Sequence, residues 1–324
     1  MYKDVSIKVS ILMPIFKVEQ YLEKALDSVF SQTYENINFV FVNDCSPDGS
    51  LQLLKDTIEK YKISSDRYII IDHKENEGIA VSRADCIANA KGDYVFFVDS
   101  DDWIEKDAVE QMVKSTQNAS IDIVGCDYMK EFLSGQTTYH HENYSTTCYG
   151  NLVACLNYDI ATVLWKLLIR RSLFDNFEII PYVDIGEDYI ISIKLFYYAN
   201  SFAAVPKHFY HYVQTNPQRL SFQKKLSVDT HVKCVRIVED FLRVQGLLNE
   251  EIQNKLKLRK FNIRSNYLTR DLFDFQAFLY TFPESNGMWR EMNYSKKEDI
   301  KFWLAEHNLY SFMKFLYFTR WKKT

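Results

Sequence analysis

Gly92 to Trp103 reads GDYVFFVDSDDW. After the turn glycine, Tyr94, Val95, Phe96, Phe97 and Val98 form an unbroken apolar run. Such a run suits a strand buried on both faces of a parallel sheet. Asp99, Ser100, Asp101 and Asp102 fall where that strand ends, and in an open α/β sheet ligands bind at this carboxyl edge. Three carboxylates that close repel one another unless a cation or hydrogen-bond donors sit among them. Two readings follow. One is a divalent-metal site that grips a diphosphate. The other is an acidic turn that caps the following helix, with Asp102 as N-cap.

The stretch lies at the end of an alternating pattern. Val9–Met13, Ile37–Val42 and Tyr68–Ile71 are short apolar strands. Between them, Glu19–Val29 places Leu22, Ala25, Leu26 and Val29 at helical spacing, and Leu51–Tyr61 and Gly78–Ala90 also read as helices. The order β-α-β-α-β-α-β predicts a mostly parallel sheet flanked by helices. Beyond the aspartates, Glu105–Ser115 is expected to be helical and Ile121–Met129 a strand. Glu131–Tyr149 reads as a loop or hairpin, and Gly186–Ala199 as a helix opening with Glu187-Asp188. Ser201–Val205 and His208–Val213 read as two short strands flanking Pro206. From about Leu226 long helical patterns take over, broken at Gly246 and at Pro283–Gly287. The expected division is 1–222 and a helical region 223–324.

The 324 residues are 47% hydrophobic, enough for a sizeable core, and a formal net charge of -4 gives no reason to expect nucleic acid as a partner. The six cysteines show no CxxC spacing, which speaks against a zinc site and a disulfide scaffold and for a reducing, cytoplasmic setting. No leader or membrane-spanning run is visible in the sequence.

Taken in order, several segments resemble the family 2 glycosyltransferases, nucleotide-sugar enzymes with the α/β fold called GT-A. They are VSILMPIFKVEQYLEKALDSVFSQTYENINFVFVNDCSPDGS, NEGIAVSRADCIANAKGDYVFFVDSDD, WKLLIRRSLF and GEDYIISIKL. The resemblance covers the first two-thirds of the chain and implies an inverting transfer from a nucleotide-sugar, usually UDP-linked, to a hydroxyl of a glycan or lipid-linked glycan. It implies that Pro14, Phe16, Glu19 and Asp44 line the base and ribose, the Phe16 ring stacking and the Asp44 carboxylate accepting an imide N–H. Arg83 is expected to reach the phosphates or pin an aspartate. Asp99, Ser100 and Asp101 would hold the donor, with Asp101 and Asp99 on Mn²⁺ or Mg²⁺. Asp188, or Glu187 in its place, is the expected base, and Asp102, Lys166 and His211 are acceptor-side candidates. The chain departs from the family pattern at Phe16-Lys17, Asn43 and Trp165. Val213 stands where many relatives carry an arginine, which leaves His211, Arg219 and Ser221 as candidates for closing over the diphosphate.

Two other functions stay open at this point. A sugar-phosphate nucleotidyltransferase would want a glycine-rich loop after the first strand, and Met13-Pro14-Ile15-Phe16 has no glycine. A non-catalytic nucleotide-sugar-binding partner would carry the fold without turnover. At the C-terminus, Leu309, Phe312, Met313 and Leu316 follow helical spacing among Lys314, Arg320, Lys322 and Lys323. Residues 309–323 are therefore read either as a peripheral contact with the inner membrane face or as a helix packed on its own domain or on a second subunit in an oligomer.

Overall fold

A computed structural model describes residues 7–215, 224–269 and 271–318, without side chains for 224–227 and 316–318. The chain divides into two compact units, Met1–Cys155 with Asp159–Arg219, and Leu156–Tyr158 with Leu220–Thr324.

The first unit is built on one mixed sheet. Strands β1 (Val9–Ile15), β2 (Ile37–Asn43), β3 (Tyr68–Asp72) and β4 (Tyr94–Phe97) pair in parallel in the order β3-β2-β1-β4. Helices α1 (Glu19–Phe30), α2 (Ser50–Lys60) and α3 (Ile79–Ala88) connect them. β1, β2 and β4 are buried along their whole length, as their unbroken apolar runs require. On α1 the buried side chains are Leu22, Ala25, Leu26 and Val29, the stripe read from the sequence. Fully burying each larger member contributes about 1.5–3 kcal/mol. Gly92 has to be glycine because a Cβ there would meet Ser10 N and Tyr94 O as the chain turns into β4.

Past the acidic turn the pattern changes. β5 (Trp103–Ile104), α4 (Ala108–Lys114), β6 (Ile123–Phe132), β7 (Thr137–His140), α5 (Cys148–Leu156), β8 (Leu167–Arg170), α6 (Glu187–Tyr198) and β9 (Phe202–Gln214) follow in chain order. β8 joins β4 and β6 antiparallel, β9 runs parallel to β6, and β5 pairs antiparallel with β9. Glu131–Tyr149 holds the end of β6 and all of β7, which pairs antiparallel with Tyr128–Glu131 of β6 to close a hairpin. The two strands expected around Pro206 are one strand. Its pairing with β6 jumps from Val205 opposite Cys126 to His208 opposite Asp127, so Pro206, which has no N–H to donate, sits in a bulge.

The second unit is helical. It contains α7 (Lys224–Val244), α8 (Glu250–Ser265), α9 (Phe275–Tyr280), α10 (Lys296–Glu306) and α11 (Tyr310–Phe318). Gly246, at φ +68°, lies just beyond α7, and 3-10 turns fill Pro283–Ser285 and Met288–Glu291. Arg264 is buried and reaches Phe282 O, Asn286 and Glu306. On α11 Met313 is buried, whereas Phe312 and Phe315, and Leu309 just before the helix, are exposed. Residues 319–323 of the C-terminal segment lie outside the described residues. Among the described residues no helix is long and apolar enough to cross a membrane.

Candidate active site

The acidic turn after β4 is braced from β9. Tyr210, buried, accepts a hydrogen bond from Asp99 N (3.0 Å) and donates its own to Asp102 Oδ2 (3.0 Å). Val213 N donates to Asp102 Oδ1 at 2.8 Å, and Asp102 N to Asp99 O at 3.0 Å. Asp102 is therefore 1% exposed and turned toward β9. Both of its oxygens anchor the turn, so an acceptor-side role for Asp102 would compete with these bonds. Ser100 is also buried, while Asp99 and Asp101 are half-buried at the carboxyl end of the sheet. Among the described residues no three His, Cys, Asp or Glu side chains are grouped to hold a metal ion.

Arg83 joins this turn to the start of α6. It projects from α3 with a side chain 4% exposed, stacks 5.1 Å from the Phe97 ring centroid, and meets carboxylates on two sides. Nη2 lies 3.4 Å from Asp99 Oδ1; Nε lies 3.3 Å from Glu187 Oε1 and 3.5 Å from Asp188 Oδ1. One guanidinium thus faces three carboxyl groups. Burial pulls its pKa down, but Asp188, Asp99 and Glu187 together outweigh burial and raise it. The two acids of α6 are raised as well. Burial first, and then Asp188, push Glu187 up to about 8. Burial also raises Asp188, against the pull of Arg83 and of a hydrogen bond from the Leu164 backbone. The α6 N-terminus favours the ionised forms, but desolvation is the larger effect here. Asp188 Oδ1 is buried with no hydrogen-bond partner among the described residues, whereas Glu187 Oε1 accepts from Arg83.

The turns after β1 and β2 interlock. Lys17 N donates to Ser46 Oγ, Val18 N to Ser50 Oγ, and Gly49 N to Glu19 Oε2. Pro14 is buried within β1, and the Phe16 ring is left 39% exposed. Asp44, at the end of β2, is buried, and its carboxylate is already well supplied. Glu77 N (2.8 Å) and His73 Nδ1 (2.9 Å) are on Oδ1; Asn76 Nδ2 and Gly78 N (both 2.9 Å) are on Oδ2. A carboxylate offers about four acceptor positions, so a base imide reaching Asp44 must take the place of one of these donors. Gly78 is at φ +90°, and a Cβ there would collide with Asp184, which accepts from Ala80 N at the start of α3.

Two further candidates lie in networks of their own. Lys166 is 1% exposed, with Nζ 2.9 Å from Glu142 Oε2 and 4.9 Å from the Tyr144 ring centroid. Burial draws its pKa down. An ammonium this buried needs its carboxylate, so an acceptor-side role for Lys166 would have to draw it away from Glu142. His211 has Nδ1 2.8 Å from Glu131 and Nε2 2.9 Å from Glu105, and its ring stacks on Trp103 at 3.2 Å. Both nitrogens are engaged, so closing over a diphosphate would require releasing a glutamate. Arg219 and Ser221 lie outside the described residues. Tyr210 and His73 were not among the sequence candidates. The alternating polar and aromatic pattern of HFYHYV in β9 is the signal for Tyr210, and a histidine directly after the third strand is the signal for His73.

Residues 10–181 match the family described as glycosyl transferase family 2, which is more than half of the chain. The chain belongs to this family. Among curated proteins, the putative glycosyltransferase EpsH of Bacillus subtilis is 32% identical over 234 residues, 67% of this chain. Glycosyltransferase GlyA of Streptococcus pneumoniae is 32% identical over 216 residues, 63% of this chain. The chain spans 64% of the length of EpsH and 30% of that of GlyA. In fold it is similar to S. aureus TarS 1–349 in complex with UDP-GlcNAc, with a TM-score of 0.61 at 17% identity over 90% of this chain and 93% of that one. It is also similar to the mannosyltransferase PcManGT from Pyrobaculum calidifontis in complex with GDP-Man and Mn²⁺. That match has a TM-score of 0.51 at 15% identity over 96% of this chain and 87% of that one. The family 2 protein therefore has the GT-A fold: a mixed sheet with flanking helices and a helical C-terminal part.

Proposed function

We propose that this chain is an inverting glycosyltransferase that moves a sugar from a uridine diphosphate donor to a hydroxyl of a glycan or lipid-linked glycan. The observation that carries the reading is the Arg83 contact set, which puts Asp99 at the strand edge within one side chain of the Glu187-Asp188 pair. Donor phosphates and acceptor hydroxyl need to meet at that separation. The UDP-GlcNAc and UDP complexes of TarS support the choice of uridine, and the GDP-Man complex of PcManGT makes guanosine the base to test against it.

Asp99 and Asp101 would hold a divalent cation. The donor set fits: both are hard oxygen ligands, and Mg²⁺ is commonly held by one or two carboxylates plus substrate phosphates. When bound, such a cation supplies charge neutralisation to the departing diphosphate. The remaining work falls to the chain. Phe16 offers an exposed face for base stacking, and Asp44 accepts the imide N–H in exchange for the Asn76 amide, a side-chain donor from an exposed loop residue. Asp188 takes the acceptor proton through Oδ1, which accepts no hydrogen bond among the described residues and lies 3.5 Å from Arg83 Nε, with Glu187 as the alternative base. As the acceptor oxygen bonds to the anomeric carbon, the bond to the diphosphate oxygen breaks. A carboxyl held above its ordinary range is matched to base catalysis near neutrality.

The test is thermal stabilisation of the full chain by UDP, GDP and other nucleoside diphosphates, with and without Mn²⁺. A ligand that binds only the folded state raises Tm by mass action. Mn²⁺-dependent stabilisation by UDP is expected. Stabilisation by GDP alone would overturn the uridine assignment, and no response to any diphosphate would overturn the transferase reading.

A further inference from the structure

His73 stands between two acids. Its Nδ1 is 2.9 Å from Asp44 Oδ1 and its Nε2 is 2.9 Å from Asp85 Oδ2, while its side chain is 6% exposed. A neutral imidazole has one N–H and one lone pair, so it satisfies only one of two facing carboxylates; the imidazolium donates to both. The groups around it are acidic on each side. Asp44 comes from the end of β2, Asp85 from α3, and Glu77 from the loop between β3 and α3. Asp72 precedes it by one residue and accepts from Asn43 Nδ2. Lys74 is its neighbour in the chain.

Asp44 is in turn the hub of the 74–78 loop, since it receives Asn76, Glu77 N and Gly78 N. A ring that lost its second proton would turn a lone pair on one of the two carboxylates. If that carboxylate is Asp44, the loop loses the support of its hub. We propose that His73 is a positioning residue of the donor subsite, which holds Asp44 and the 74–78 loop in the base-accepting arrangement only while both ring nitrogens carry protons. The proposal rests on the donor reading above. Burial works against the proton, but the hydrogen bonds to Asp44 and Asp85 outweigh it and raise the His73 pKa. Donor binding then weakens as pH rises through the His73 midpoint.

The experiment follows UDP binding to the full chain by calorimetry in the presence of Mg²⁺. The His73 ring is followed by NMR without nucleotide, both between about pH 6 and about pH 9. Affinity is expected to fall above the NMR midpoint by up to about tenfold per pH unit, the limit for one linked proton. Asp85→Asn offers an amide donor to a neutral ring, so it should move both midpoints to lower pH together. Glu187 titrates in the same range, and Asp85→Asn separates the two because Asp85 touches His73. His73→Gln should remove the pH-dependent limb. If that variant does not fold, the paired midpoints of the wild type and Asp85→Asn decide alone. Affinity that stays flat across the His73 midpoint, or midpoints that part company in Asp85→Asn, would overturn the proposal. Absence of UDP binding at every pH would overturn the donor reading and this proposal with it.

Discussion

Replacing Arg83 with methionine tests the centre of the site. The substitution keeps a long apolar stem of similar reach, so little cavity is created. It removes the only positive group of this contact set and leaves Asp99, Glu187 and Asp188 facing one another where the side chain was 4% exposed. Removing one partner of a buried pair costs about 3–5 kcal/mol. All three contacts are 3.3 Å or longer, so the lower end, about 3 kcal/mol, is the better expectation for Arg83. At about 2–4 °C per kcal/mol for domains of 150–250 residues, Tm should fall by roughly 6–12 °C near neutral pH. The loss should also depend on pH with a defined sign. Glu187 is raised from 4.5 to about 8, so the folded state binds a proton that the unfolded state releases, and stability falls as pH rises across that window. Without Arg83 both acids climb further, and the gap between wild type and variant should widen from about pH 5 to about pH 8.5. Scanning calorimetry at the two pH values measures it. A gap of equal size at both, or a variant as stable as wild type at the higher one, would refute the electrostatic account of this centre.

Asp188→Asn should lower kcat by about 10²–10⁴ while the variant melts as a folded protein; near-full transfer activity would remove Asp188 from the base role and leave Glu187. The wild-type rate should climb with pH above the ordinary carboxylate range, because burial raises both members of the pair, and a pH–rate profile checks this. Tyr210→Phe deletes the hydroxyl between Asp99 N and Asp102 and so removes two hydrogen bonds, at a cost of about 1–3 kcal/mol, measurable by urea unfolding. Chelation by EDTA should abolish transfer, and added Mn²⁺ should restore it, whereas Asp101→Asn should resist restoration.

The parallel half of the sheet was legible because β1, β2 and β4 are continuous apolar runs that admit one reading. Arg83, Asp99 and Glu187-Asp188 were legible as motif positions, and the structure brings them into contact. What escaped is what depends on distant partners. Tyr210 braces an aspartate 108 positions away, and no local pattern announces that pairing. His73 matters through Asp44, 29 positions back. β5 is two residues long, too short for any periodicity. α5 was missed because CYGNLVACL contains a glycine and follows a run of turn formers. Pro206 suggested two strands because a proline interrupts a ladder, yet the pairing absorbs it as a bulge. The internal partners of Asp102 and Lys166 were not legible because burial, invisible in the residue type, decides where a charge points.

The long strand β9 also fixes a temporal order. Chains emerge from the ribosome N-terminus first, so β1 to β4 and the acidic turn exist well before Phe202–Gln214 has been made. Until β9 arrives, β6 has an open edge along ten paired positions and the turn lacks Tyr210 and Val213. Non-local parallel pairing of this kind is slow to form, and an open edge invites pairing with another chain. Every residue assigned to the chemistry has thus been made before the strand that braces it, and a product terminated before Phe202 would be a nucleus for aggregation rather than a weak enzyme.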